Sequence, residues 1–227
     1  SGRCWMFSTL NVLRSKVLEN LDIDDFEFSQ NYIQFYDKLE RCNSRLEYVI
    51  DTADLPWNDR EVTQLMLTPV EDGGQFVFCC NLVKKWGAIP KALMPDTACN
   101  KDTAQMNSLL TILRKLAADG ATTEELRARK QEMLPEFHRI LCCCLGEPPV
   151  TFDLTMEVGE GADVDKSKVS RQLSANGGEE SLVLRDHGIT PREFVERYVK
   201  LNLEDYVELV NFPGEGRPYE HAYGIRY

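Results

Sequence analysis

The chain has 227 residues, 43% of them hydrophobic and 28% charged, which is globular composition rather than disorder and enough length to bury a sizeable core in one large domain or two small ones. Against 26 basic residues stand 37 acidic ones, and a net charge of −11 argues against general nucleic-acid binding, because phosphate would be repelled outside any local basic groove. No apolar run approaches the roughly 18–20 residues of a membrane span, and no basic segment followed by an apolar stretch marks a secretory signal, so no membrane partner is expected.

The pattern predicts a helix over 4–19, with Phe7, Leu10, Leu13, Val17 and Leu18 at helical spacing. Ser29 is an N-cap for a second helix reaching Asp51, whose apolar positions include Tyr32, Ile33, Tyr36, Leu39, Leu46, Val49 and Ile50. A loop follows at 55–59. Asp72-Gly73-Gly74 is a turn leading into a helix over 75–86, stopped by Gly87. Ile89-Pro90 and Met94-Pro95 force extended chain. Residues 102–116 are amphipathic through Met106, Leu109, Leu110, Leu113 and Leu116, and Asp119-Gly120 breaks the pattern. Thr122-x-x-Glu125 is a capping box for a further helix, with Leu126, Met133, Phe137, Ile140, Leu141 and Cys144 on one face and Gly146 at its end. Pro135 should kink or split that helix. These two helices read as an inserted antiparallel pair, and their stripes as helix packing.

Residues 151–158 alternate as a strand, and 159–180 read as a long loop or linker. Thr190-Pro191-Arg192-Glu193 combines N-cap, N1 proline and capping-box glutamate, opening a helix that ends near Val199. Strands are expected at 206–211 and 221–227 around Pro213-Gly214. Helices first and strands last give an α+β fold. The two ends, Ser1-Gly2-Arg3-Cys4 and Tyr223-Gly224-Ile225-Arg226-Tyr227, read as cut, so a longer protein is expected.

The eight cysteines are Cys4, Cys42, Cys79, Cys80, Cys99, Cys142, Cys143 and Cys144. Neighbouring cysteines are awkward to pair with each other, the chain is not small, and no C-x-x-C occurs. Buried reduced thiols are expected, with no structural metal and no cofactor. Cys4 stands apart. It heads the first helix, where unsatisfied N–H groups and the helix dipole favour negative charge. A thiolate there can attack an acyl carbon, and the same N–H groups can hold the oxyanion.

Ser1-Gly2-Arg3-Cys4-Trp5-Met6-Phe7 resembles the nucleophile segment of papain-like cysteine peptidases, and most of all that of the bleomycin hydrolase/aminopeptidase C family, which has arginine before the cysteine. Further blocks are similar in order along nearly the whole chain: Phe28-Ser29-Gln30-Asn31-Tyr32 with Phe35-Tyr36-Asp37-Lys38-Leu39-Glu40, Asp72-Gly73-Gly74-Gln75-Phe76, Asn81-Leu82-Val83, Leu145-Gly146-Glu147-Pro148-Pro149, Ile189-Thr190-Pro191 and Leu203-Glu204-Asp205-Tyr206-Val207. The resemblance implies a papain-like fold. Residues 1–100 would be the helical lobe with the nucleophile, 101–147 an inserted hook that joins subunits into a hexamer, and 148–227 the start of the β lobe with its long loop at 159–180. It implies a cytoplasmic aminopeptidase acting on peptides, with Cys4 as nucleophile, Trp5 packed beside the catalytic pair, and Gly73 and Gly74 letting a substrate backbone approach.

A thiol nucleophile needs a base and a group to orient it. His138, His187 and His221 are the histidines present, and none sits in the family's catalytic context. His138 lies on the inserted helix, His187 in an Asp186-His187-Gly188 turn, and His221 in surroundings that match an earlier block. In the family the catalytic histidine and asparagine follow in the second lobe, and the oxyanion glutamine precedes the position of Ser1. The chain is therefore expected to be the nucleophile half of a bipartite site, inactive alone, its remainder being a possible separate chain. The competing reading is a non-catalytic oligomerisation or binding module that works through 102–144, with Cys4 a structural thiol.

Overall fold

The computed structural model describes residues 2–56, 58–67, 70–110, 122–173 and 180–206. Expectations for Trp57, Leu113, Leu116, Asp119-Gly120, Pro213-Gly214, His221 and the strands at 207–211 and 221–227 lie outside them.

Helix α1 (Cys4–Leu21) buries Met6, Thr9, Leu10, Leu13, Val17 and Leu21, a stripe at three- and four-residue spacing. Phe7, expected in that stripe, is 39% exposed, because one residue past Met6 the helix has turned about 100° away from the core. Asp22 ends α1 in the left-handed conformation at φ 52°. Helix α2 (Gln30–Asp51) starts as its sequence demands, Ser29 Oγ accepting from the Tyr32 N–H. It runs through the core, burying Tyr32, Ile33, Phe35, Cys42 and Leu46, and also Asp37 and Lys38.

Two short helices, α3 (Arg60–Leu67) and α5 (Ala98–Lys101), were not legible, being too brief for a period to develop. Between them, α4 (Phe76–Trp86) ends at Gly87, whose φ of 80° and tight approach to the Pro191 backbone exclude a side chain. Helix α6 (Ala104–Leu110) opens the 102–116 pattern and buries Met106 and Leu110.

Helix α7 (Thr123–Leu145) carries the full capping box, with Thr122 and Glu125 bonding reciprocally. Pro135 does not split it. The proline and Gln131, whose carbonyl loses its partner, are both exposed, so the lost bond falls on the solvent side of the helix and costs little. The stripe of Leu126, Phe137 and Leu141 packs against α2, so this apolar face is used inside the chain.

The sheet among the described residues has three antiparallel strands in the order β1 (Phe152–Val158), β3 (Glu180–Ile189), β2 (Val169–Leu173). The linker expected at 159–180 is corrected by β2, which pairs Val169 with Leu184 and Leu173 with Glu180. The expected turn at His187 is also corrected. That residue lies within β3, where the register with β1 slips by one between Ile189 and Asp186, and Gly188 takes φ 64°. Helix α8 (Pro191–Phe194) begins at the Thr190 capping box and passes into a π-helical turn (Val195–Val199). Tyr206 is not in a strand. No described helix is long and apolar enough to cross a membrane.

Candidate active site

Cys4 is the first residue of α1 and is exposed. The Arg3 carbonyl accepts from the Met6 and Phe7 N–H groups at 3.0 and 3.1 Å, while the N–H groups of Cys4 and Trp5 precede the helical ladder. No side chain caps this end and its first turn holds no acidic residue, so the positive end of the dipole stands uncompensated beside the sulfur. Arg3 itself is buried, its guanidinium 3.6 Å from the Asp96 carboxylate.

Trp5 fixes what lies next to Cys4. Its Nε1–H donates to the Asp72 carbonyl at 3.0 Å, and its ring meets Phe78 edge-on at 6.4 Å. A methyl group on Gly74 would stand 2.6 Å from the Trp5 ring, whereas one on Gly73 would meet nothing within 4 Å. A methyl group on Gly2 would lie 3.5 Å from Asp72 and Gly73. The cysteine segment and the Gly73-Gly74 segment therefore run side by side. Arg41 donates to the Gly73 carbonyl, while no hydrogen bond to the Gly74 main chain occurs among the described residues.

The sequence reading missed what stands behind this wall. Lys38, 1% exposed on α2, donates to Asp72 Oδ1 at 2.6 Å and to the Glu71 carbonyl at 2.8 Å. Thr103 Oγ1 donates to Asp72 Oδ2 at 2.6 Å, and Asn107 Nδ2 to Oδ1 at 3.3 Å. Burial alone would raise the Asp72 carboxyl, but the hydrogen bonds from Lys38 and Thr103 outweigh it and hold its pKa below the ordinary aspartate value. Asp37, gripped by Arg41 at 2.9 Å to both oxygens, is pushed up by burial in spite of that guanidinium. The available signal was the adjacent charged pair Asp37-Lys38 on an otherwise core-facing turn of α2.

All eight cysteines are free thiols. Cys4 is not alone in exposure, since Cys143 is exposed too. Burial pushes the thiols of Cys42 up to about 12 and Cys144 to about 11, and raises Cys79 as well. His138 Nδ1 lies 3.5 Å from Cys142 Sγ, a cysteine–histidine pair one helical turn apart, but burial, with Glu147 beside it, raises that thiol rather than activating it. His138 also meets the Phe35 ring edge-on, and His187 faces Asp153 at 3.4 Å. Neither is hydrogen-bonded to Cys4. Among the described residues no three His, Cys, Asp or Glu side chains form a group that could hold a metal ion.

The model of the Peptidase C1-like family matches residues 1–176 and 177–227. The chain belongs to the Peptidase C1-like family. Within that family it is 36% identical to Aminopeptidase C of Lactobacillus delbrueckii subsp. lactis and 38% identical to Bleomycin hydrolase of Homo sapiens, in each case over 100% of this chain and 48% of the relative. The crystal structure of PepW from Lactobacillus rhamnosis HN001 superposes with a TM-score of 0.80 at 38% identity, over 97% of this chain and 47% of that one. The α+β, papain-like fold read from the sequence is thus the fold of this family member, and the chain spans about half the length of the curated relatives it matches.

Proposed function

We propose that this chain carries the nucleophile half of a cysteine aminopeptidase. The Cys4 thiolate attacks the carbonyl carbon of a peptide bond, the amine leaves, and water hydrolyses the acyl-enzyme. The Cys4 N–H donates to the oxyanion, Trp5 packs beside the sulfur, and Gly73 and Gly74 form the wall along which the peptide main chain runs. The observation that carries this reading is an exposed cysteine at an uncapped helix start, on a segment that runs beside a Gly-Gly pair whose first member, Gly73, faces open space. The base and its orienter come from outside the chain, on a following segment or a separate one, so these 227 residues alone do not turn over peptides. The hexamer, the hook at 101–147 and the cytoplasmic location belong to the same proposal. The binding-module reading has less support, because the α7 stripe is already covered by α2.

The test compares the two exposed thiols. At pH 6, with adducts located by peptide mass spectrometry, iodoacetamide labels Cys4 at least about tenfold faster than Cys143. Equal rates would overturn the nucleophile assignment. Cys4-dependent cleavage of an aminoacyl coumarin amide by the chain alone would overturn its inactivity.

A further inference from the structure

We infer that Asp72 is a positioning residue that sets the Gly73-Gly74 wall, and that it does so by joining the start of the 101–147 segment to the cleft. The inference rests on the peptidase reading of Cys4 and names the device that orients the wall for a peptide main chain.

Asp72 is used at both ends. Its carbonyl holds the Trp5 indole, and its carboxylate takes Lys38 from α2, Thr103 from just before α6, and Asn107 from α6. A lysine 1% exposed is costly unless its charge is matched, and the carboxylate that bonds it is that of Asp72. A turn that only had to be rigid would need no such arrangement. Here two glycines that lack side chains of their own are held through the residue before them and through Arg41 on the Gly73 carbonyl. The neighbouring Gly74 then rests on the Trp5 ring. Lys38 and Arg41 fix the wall to the central helix, whereas Thr103 and Asn107 fix it to α6 and the residue just before it. A movement of α6 therefore passes through one carboxylate to the wall, and it reaches α1 through the Trp5 indole on the Asp72 carbonyl rather than through Cys4.

Two probes of the same sulfur separate wall from nucleophile. Iodoacetamide reports Cys4 alone. A dipeptidyl chloromethyl ketone with a free amino-terminus must first lie along the wall. The thiolate then forms the S–C bond as chloride leaves, with no proton required. Varying its concentration resolves the binding constant KI from the rate constant kinact. In the 227-residue chain, Thr103→Val is expected to raise KI about tenfold, the worth of one charge-assisted hydrogen bond. Meanwhile kinact and the iodoacetamide rate at Cys4 stay within about twofold, and Thr103→Ser restores the parent KI. Asp72→Asn should do more where circular dichroism shows it folded, and the threonine variants carry the test where it is not. An unchanged KI in Thr103→Val, or an iodoacetamide rate that falls in step with KI, overturns the inference. Non-saturable labelling of the parent chain by the chloromethyl ketone overturns it as well. Failure of the Cys4 assignment shows separately, as equal iodoacetamide rates at Cys4 and Cys143.

Discussion

Gly73 and Gly74 are alike in the sequence and unlike in the fold. A methyl group at Gly74 would come within 2.7 Å of two atoms of the Trp5 ring, and that ring is pinned through Nε1 to the Asp72 carbonyl. Neither partner has free room, so Gly74→Ala should destabilise the chain by about 1–3 kcal/mol in urea unfolding, the usual cost of overpacking. Gly73→Ala should fall within about 0.5 kcal/mol, since its Cβ meets nothing. Equal losses at the two positions would show that the glycines serve only as a flexible turn. The cysteines divide in the same way. Adjacent letters could not separate Cys143, which is exposed, from Cys142 and Cys144, which are half-buried, because that depends on which face of α7 meets α2.

At the scale of elements, caps were legible and β3 was not. Ser29, Thr122 and Thr190 each find their partner three residues on, so the information is local. Strand β3 hides because one of its inward positions is a charge. Asp186 is buried, and its carboxylate takes Lys168, Tyr198 and Arg197 at 2.7, 2.7 and 2.9 Å. These side chains come from the approach to β2 and from the π-helical turn, so no alternation within β3 announces the strand. Burial would raise the Asp186 carboxyl, but the hydrogen bonds, Lys168 first, hold its pKa below the ordinary aspartate value. A lowered folded-state pKa gives stability that is present above the unfolded aspartate value, about 3.9, and lost as pH falls through that value toward the folded one. Asp186→Asn should therefore cost about 2 kcal/mol at pH 7, and less as the pH is taken below 4. Urea midpoints across that range measure it. A loss independent of pH would remove the charge from the explanation.

Across the whole molecule, the end of α1 is joined to the π-helical turn and to the segment after β1 by side-chain and main-chain hydrogen bonds. Asn20 Nδ2 donates to the carbonyls of Tyr198 and Val199 at 3.1 and 2.9 Å. The Asp22 carboxylate accepts from Gly161 N–H, and the Asn20 and Leu21 carbonyls accept from Asp163 and Gly159. Another asparagine, the buried Asn31, bonds the carbonyls of Pro95 and Leu145, which seats the end of α7 on α2. Asn20→Ala leaves two carbonyls of buried residues short of a donor. It should lower stability by about 1–3 kcal/mol while unfolding stays a single transition with an unchanged urea slope. A biphasic curve would show that the two parts unfold independently and that this joint does not couple them.

The sequence by itself determined the strand β1, the start of each long helix, the stop at Gly87 and the cysteine at the head of α1. These depend on residues within one helical turn of each other, where chain connectivity already brings partners together. Only the tertiary structure decided that Asp72 gathers Lys38, Thr103 and Asn107, that Asp186 is an inward strand residue, and that Gly74 rather than Gly73 is closed to a side chain. Lys38 and Thr103 each stand about thirty residues from Asp72. Their charge and hydrogen-bonding needs were visible in the letters, but which opposite group would meet each of them depends on how the elements pack.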